Sequence, residues 1–210
     1  MGPMPSENRI VAYFVRHGET TLNAEGRFRG PSDPPLNENG HNDAAKLAAY
    51  FQNISIGHAI TSDMQRATST AETILDPKGQ VADQTPDLHA LNVGYLAGEK
   101  KDEPDNVASV GYHQDHPDQA FPNGESLNDF RGRVRPVILR AIHSGWKNGV
   151  PSLVVAHSSV IHELGNVVHN DHTSAIVKPG GVAAVSFDGK AFSAKPLIRP
   201  ASKKDGAYAT

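Results

Sequence analysis

The sequence predicts an α/β fold, a three-layer α/β/α sandwich around a central mixed, mostly parallel sheet. Three observations carry that prediction. Short strand-like runs at 10–15, 57–61 and 152–156 are each followed, directly or after a loop, by a stretch with helical periodicity. A final pair of apolar runs is joined by Asp188-Gly189, a hairpin signal that adds antiparallel strands. The 210 residues are enough to bury a substantial core, and no internal repeat or linker divides them.

Residues 1–8 are small, polar and proline-bearing and read as a disordered lead, as does the tail 199–210. The stretch between, 9–198, reads as one domain. Its first strand, 9–15, runs into Arg16-His17-Gly18. Thr20 or Thr21 is the expected N-cap of a short helical segment, and Gly26 to Pro35 is rich in turn residues. A helix from about Gly40 to Phe51 carries Ala44, Leu47, Ala48 and Phe51 on one stripe. After the second strand, Ser62 or Asp63 is the expected cap of a helix in which Met64, Ala67, Ala71, Ile74 and Leu75 keep helical spacing. Asp76-Pro77-Lys78-Gly79 ends it. Residues 80–124 lack periodicity and read as a long excursion over one face of the core, the kind that shapes a site. Helical phase returns from about Glu125 to His143, with Pro136 expected to kink or divide the helix. The strand 152–156 ends at His157, and Ser158 and Ser159 open a helix to about Val168. Strands at 182–187 and 191–198 close the chain.

Composition narrows the function. The 38% hydrophobic and 20% charged residues are ordinary for a soluble globular protein. A net charge of −3 supplies no global basic field, so neither nucleic acid nor an anionic membrane is an expected partner and anion binding has to be local. The absence of cysteine removes thiolate zinc sites and cysteine nucleophiles, and it suits a reducing cytoplasm, the expected location. The N-terminus lacks the basic start and apolar core of a signal peptide, and no apolar run reaches the roughly 20 residues needed to span a bilayer.

The chemistry gathers at strand ends. The first strand delivers Arg16 and His17, the second leads to Asp63, Gln65 and Arg66, and the third delivers His157 at the start of a helix. Alone, an Arg-His pair after a strand fits a solvated loop equally well. In an open α/β sheet, however, ligands bind outside the carboxyl ends of the strands, so neighbouring strands would bring two arginines, two histidines and a helix N-terminus together. That set suits a dianionic phosphoryl group: arginine forks and free N–H groups take the oxygens while an imidazole attacks phosphorus. A metal would be repelled by the arginines, and no His-Glu-x-x-His spacing occurs, so no metal and no cofactor is expected. His169-Asn170-Asp171-His172 has metal-like spacing but reads as a solvated helix end, and Arg131, Arg133, Arg135 and Arg140 read as the polar face of a helix.

Across residues 10–190 the sequence resembles the histidine phosphatase superfamily, its phosphoglycerate-mutase-like group. The resemblance rests on Arg16-His17-Gly18-Glu19-Thr20 with Asn23, then Gly26-Arg27, Gly30 and Asp33, then Ser62-Asp63-Met64-Gln65-Arg66-Ala67 with Thr70-Ala71, then Gly124-Glu125-Ser126 and Val155-Ala156-His157-Ser158. It implies that His17 is the nucleophile and forms a phosphohistidine, and that Arg16, Arg66 and His157 bind the phosphoryl oxygens. Asn23 and the Ser158 backbone N–H would be further phosphate donors. Glu125 matches a family position near the site, though a carboxylate at a helix start is also simply a favourable first-turn charge. Arg29 is a candidate for touching the non-phosphate part of a substrate.

The chain departs from the family at the proton donor: Ala90 falls where the mutases carry Glu. Glu99, Asp102, Glu103, Asp105 and His89 are the candidate replacements, or the enzyme is slow or selective for good leaving groups. Val93 stands where a mutase would carry Tyr, and the excursion between Gly98 and Gly124 offers Lys100 and Lys101 but no arginine. The resemblance therefore favours a metal-independent phosphomonoesterase acting on a small phosphorylated substrate and releasing inorganic phosphate. The alternatives are a phospho-ligand binding pseudo-enzyme of the same fold and, behind it, a mutase. Oligomeric state is left open.

Overall fold

A computed structural model of the protein describes residues 8–171 and 173–198; the expectations for residues 1–7, His172 and 199–210 lie outside the described residues. The sheet has six strands, β1 (Arg9–Arg16), β2 (Ala59–Ser62), β3 (Asp83–Thr85), β4 (Ser152–Ala156), β5 (Val182–Phe187) and β6 (Phe192–Ile198), in the order β3-β2-β4-β1-β5-β6. β1 runs parallel to β4, and β2 runs parallel to both β3 and β4. β5 is antiparallel to β1 and to β6. The sheet is mixed and mostly parallel.

Alternation along the buried strands builds the two cores. Ala12 and Phe14 of β1 face α5 (Leu127–Asn148) and α6 (Ser158–His169), packing with Val134, Ile138 and Ile161. Tyr13 and Val15 face the other way, onto Leu47 and Phe51 of α2 (Glu38–Phe51) and onto Ala67, Ala71 and Ile74 of α3 (Gln65–Leu75). Helices thus cover both faces, completing three layers. A short helix, α1 (Thr21–Ala24), follows the Arg-His-Gly turn.

Several local features differ from the sequence reading. Pro136 does not divide the helix: α5 is continuous through it to a left-handed cap at Gly149. Its buried stripe from Phe130 to Gly145 stays packed on the sheet, so tertiary contacts outweigh one missing N–H. The excursion is not structureless: it holds β3, the helix α4 (Pro104–Asp115) and two single 3-10 turns, Pro86–Leu88 and Gly94–Leu96. α4 escaped the pattern because it buries only His113 and leaves Val107 and Tyr112 exposed. Neither Ser62 nor Asp63 caps α3; its Gln65 N–H is instead capped from a distance by Asp33 Oδ2 at 2.8 Å. Among the described residues no helix is long and apolar enough to cross a membrane.

Candidate active site

Strand register does the assembling. Arg16 pairs with Ala156, and the His17 N–H donates to the Ala156 carbonyl at 3.0 Å, so His17 and His157 emerge side by side, ring centroids 5.2 Å apart. β2 lies on the far side of β4, and its terminal Ser62 meets His157 Nε2 through its hydroxyl at 3.0 Å. α3 follows at once and turns the buried Arg66 inward.

The His17 loop is held by backbone contact. The Gly18 N–H donates to Thr70 Oγ1 of α3 at 3.1 Å. A Cβ on Gly18 would collide with the Gly40 carbonyl, and one on Gly40 with the Glu19 carbonyl, so the turn presses on the first turn of α2 where only glycine fits. The Glu19 carboxylate accepts from Asn37 Nδ2 at 2.9 Å and Asn39 Nδ2 at 3.0 Å, tying the turn to the same helix start.

His17 is wholly buried, and its Nδ1 lies 2.6 Å from the Gly18 carbonyl. That contact puts the proton on Nδ1 and leaves Nε2 as the nitrogen with a lone pair. Nε2 has no partner. Burial, with the positive charges of Arg29, Arg66 and Arg16, holds the imidazole well below the ordinary histidine range, so it is neutral at neutral pH. His157 is displaced in the same direction by burial first and Arg66 next, and its Nδ1 is likewise unpartnered.

The cations around these rings are short of counter-charge. Arg16 donates Nη1 to the Val177 carbonyl at 3.1 Å, and burial lowers it to about 10. Arg66 donates Nη1 to the Ser32 carbonyl at 3.0 Å and Asp33 Oδ1 at 3.1 Å, and burial lowers it to about 10 against the pull of Asp33. Arg29 is 8% exposed, and burial followed by Arg16 and Arg66 brings it to about 9. Lys101, an exposed residue of the excursion, is brought to about 8 by desolvation of its ammonium and then by Arg29 and Arg16. All four remain cationic at neutral pH.

Six of the eight buried side-chain nitrogens and oxygens without a partner among the described residues belong to this cluster: Arg16 Nε, His17 Nε2, Arg29 Nε and Nη1, Arg66 Nε and His157 Nδ1. Buried donors are normally satisfied, and this concentration of orphaned cationic donors is chemically able to hold an oxyanion.

The chain matches the histidine phosphatase superfamily (branch 1) over residues 12–195. It belongs to that superfamily. It is 35% identical over 185 residues to a 2,3-bisphosphoglycerate-dependent phosphoglycerate mutase of Bradyrhizobium sp. (strain ORS 278), covering 82% of this chain and 86% of that one. It is 33% identical over 168 residues to the probable phosphoglycerate mutase GpmB of Erwinia tasmaniensis, covering 76% and 74%. Among solved structures it resembles a mycobacterial glucosyl-3-phosphoglycerate phosphatase in complex with VO3, with TM-score 0.72, 24% identity and coverage of 92% and 100%. It also resembles a phosphoglycerate mutase from Bacillus anthracis, with TM-score 0.74, 23% identity and coverage of 91% and 94%. At these identities the two structures bear on the fold.

Of the residues singled out from the sequence, His17, Arg16, Arg66 and His157 come together, and so does Arg29, the candidate for the non-phosphate part of a substrate. Asn23 is half-buried in a capping box: its Oδ1 accepts from the Thr20 N–H at 3.2 Å and the Thr20 hydroxyl at 3.0 Å, which leaves its Nδ2 group to donate elsewhere. Ser158 opens α6, with His157 as N-cap, so its N–H belongs to the free first turn. Glu125 is otherwise engaged: Oε1 accepts from Arg133 Nη2 at 2.6 Å and the Asn92 N–H at 2.8 Å, and Oε2 from Arg133 Nε at 3.0 Å. Arg133 is therefore a brace, not merely part of a solvated helix face. His169 Nε2 meets the Ala194 backbone, at 2.8 Å from N and 3.0 Å from O.

Lys101 and Asp33 are not marked as site residues by the sequence alone. Lys101 is placed by the pairing of the 98–101 segment with 26–28, through Phe28 N–H to the Glu99 carbonyl at 2.9 Å and Lys101 N–H to the Gly26 carbonyl at 3.0 Å. Only the charge pattern Lys100-Lys101 hinted at it. Asp33 counted as a motif position; its double use as helix cap and arginine partner is a tertiary fact.

Proposed function

We propose that the protein is a metal-independent phosphomonoester hydrolase that works through a phosphohistidine on His17. The observation that carries this reading is the His17 imidazole, pinned through Nδ1 so that the unpartnered Nε2 lies among Arg16, Arg29 and Arg66. Nε2 attacks phosphorus; Arg16, Arg66, His157, Asn23 Nδ2 and the Ser158 N–H take the phosphoryl oxygens; water then attacks the phosphohistidine and inorganic phosphate leaves. Glu125 acts by bracing Arg133 rather than by touching the ester. Arg29 and Lys101 bring two cations beyond the Arg16 and Arg66 pair, which supports a small substrate bearing a second anionic group. The test is incubation with 32P-labelled phosphomonoester followed by acid-labile, base-stable labelling of His17; a fully active His17→Ala variant sinks the proposal.

The mutase-named relatives support a second reading, phosphoryl exchange between two positions of one substrate. Against it stands Val93, a buried aliphatic at the position where a mutase would offer Tyr. Transfer between positions without phosphate release would favour the mutase.

A further inference from the structure

A phosphoryl site needs a proton donor for the departing oxygen, and the cluster of arginines and neutral histidines in the floor contains none. Ala90 carries no proton. Glu125 has both carboxylate oxygens taken by donors. Glu99, Asp102, Glu103 and Asp105 are exposed, and their side chains make no hydrogen bond or ion pair among the described residues.

His89 is differently placed. It follows the Pro86–Leu88 turn and lines a cavity of about 290 Å3 with Ala90, Met64 and Gly30. That cavity borders the cation cluster: Met64 accepts from Arg66 Nη2 through its sulfur at 3.1 Å, and Gly30 adjoins Arg29. The His89 ring is oriented by Asp63, whose Oδ1 contacts Nε2, and its side chain is 41% exposed. The backbone beneath it is fixed by Arg133, which donates to the carbonyls of Asp87 and His89 at 2.9 Å each and of Ala90 at 3.2 Å.

Resting on the phosphomonoesterase reading above, we propose that His89, held by Asp63, is the general acid and base in place of the carboxyl absent at position 90. In the first step His17 Nε2 forms the N–P bond, the ester P–O bond breaks, and its electron pair stays on the leaving oxygen, which takes a proton from His89 Nδ1. In the second step water adds to phosphorus and gives a proton back to His89 Nδ1 while the N–P pair returns to His17. The sum is ester plus water to alcohol plus phosphate. Asp63 is a positioning residue, fixing the ring and stabilising the imidazolium.

The experiment is kcat/KM across a series of aryl phosphates of decreasing leaving-group ability, which reports the P–O cleavage step. In His89→Gln the loss should grow from less than about 10-fold for 4-nitrophenyl phosphate to about 10² to 10³-fold for phenyl phosphate. Asp63→Asn should show the same slope with smaller losses. Adding Ala90→Glu to His89→Gln should restore much of the rate on phenyl phosphate. A loss in His89→Gln that is equal for every ester, or no loss, overturns the assignment while leaving the His17 mechanism standing. A wild type that neither hydrolyses the series nor labels His17 overturns both.

Discussion

Asp33→Asn probes how this site tolerates its own charge. Among the described residues Asp33 is the one carboxylate bonded to a site arginine: Oδ1 takes Arg66 Nη1 at 3.1 Å and Oδ2 takes the Gln65 N–H at 2.8 Å. Asparagine offers a single side-chain oxygen, so one of these bonds goes and the counter-charge goes with it. A hydrogen bond to a charged group contributes about 1.5 to 3 kcal/mol, and a helix N-cap about 1 kcal/mol. The Asp33 side chain is 36% exposed, so screening puts the loss near the low end. The expected loss is about 1.5 to 2.5 kcal/mol, or about 3 to 10 °C in Tm for a chain of this size. Inorganic phosphate should restore more stability to the variant than to the parent, because it supplies the charge Arg66 has lost; phosphate at 100 times its Kd adds about 2.7 kcal/mol. Urea unfolding with and without phosphate, at matched ionic strength, measures both effects. A variant as stable as the parent without phosphate, or stabilised less than the parent by it, refutes the reasoning.

Other consequences are open to direct measurement. Because His17 and His157 are held well below 6.5 in the folded state, the unfolded chain takes up protons first as pH falls. Their contribution to stability should be complete above pH 6.5 and lost progressively below it, and neither ring should titrate by NMR between pH 8 and 6.5 without ligand. Lys101, with its ammonium at about 8, should make phosphate binding weaken as pH rises through 8, and Lys101→Met should abolish that dependence in calorimetric titrations. Gly18→Ala forces a methyl into the Gly40 carbonyl and should cost about 1 to 3 kcal/mol with loss of turnover, read by thermal melting and ester hydrolysis. Arg133→Met frees the backbone under His89 and should lower kcat/KM on phenyl phosphate more than on 4-nitrophenyl phosphate, while a purely structural brace would affect both alike.

Much of the architecture is local in origin. Short buried strands, stripes at helical spacing and the Asp188-Gly189 turn are written in neighbouring residues, and the layers follow because each face must be covered. The same holds for Arg16-His17 and His157, whose position at strand ends already aims them at the carboxyl edge of the sheet. α4 was not legible because an exposed helix with one buried side chain carries no period. Nor was the continuity of α5 through Pro136, since packing along the whole buried stripe overrides one breaker.

By itself, then, the sequence determined which residues could act on an oxyanion and which strands would carry them, because side-chain chemistry and hydrophobic period are properties of short stretches. The tertiary structure decided the rest. Register between β1 and β4 set the two histidines ring to ring, and burial among arginines keeps the His17 imidazole neutral. Backbone pairing brought Lys101 against Arg29, and Arg133 claimed Glu125 while fixing the strip that holds His89. These outcomes depend on contacts between residues distant in sequence, and their energies come from desolvation and geometry, which exist only once the chain has closed around them.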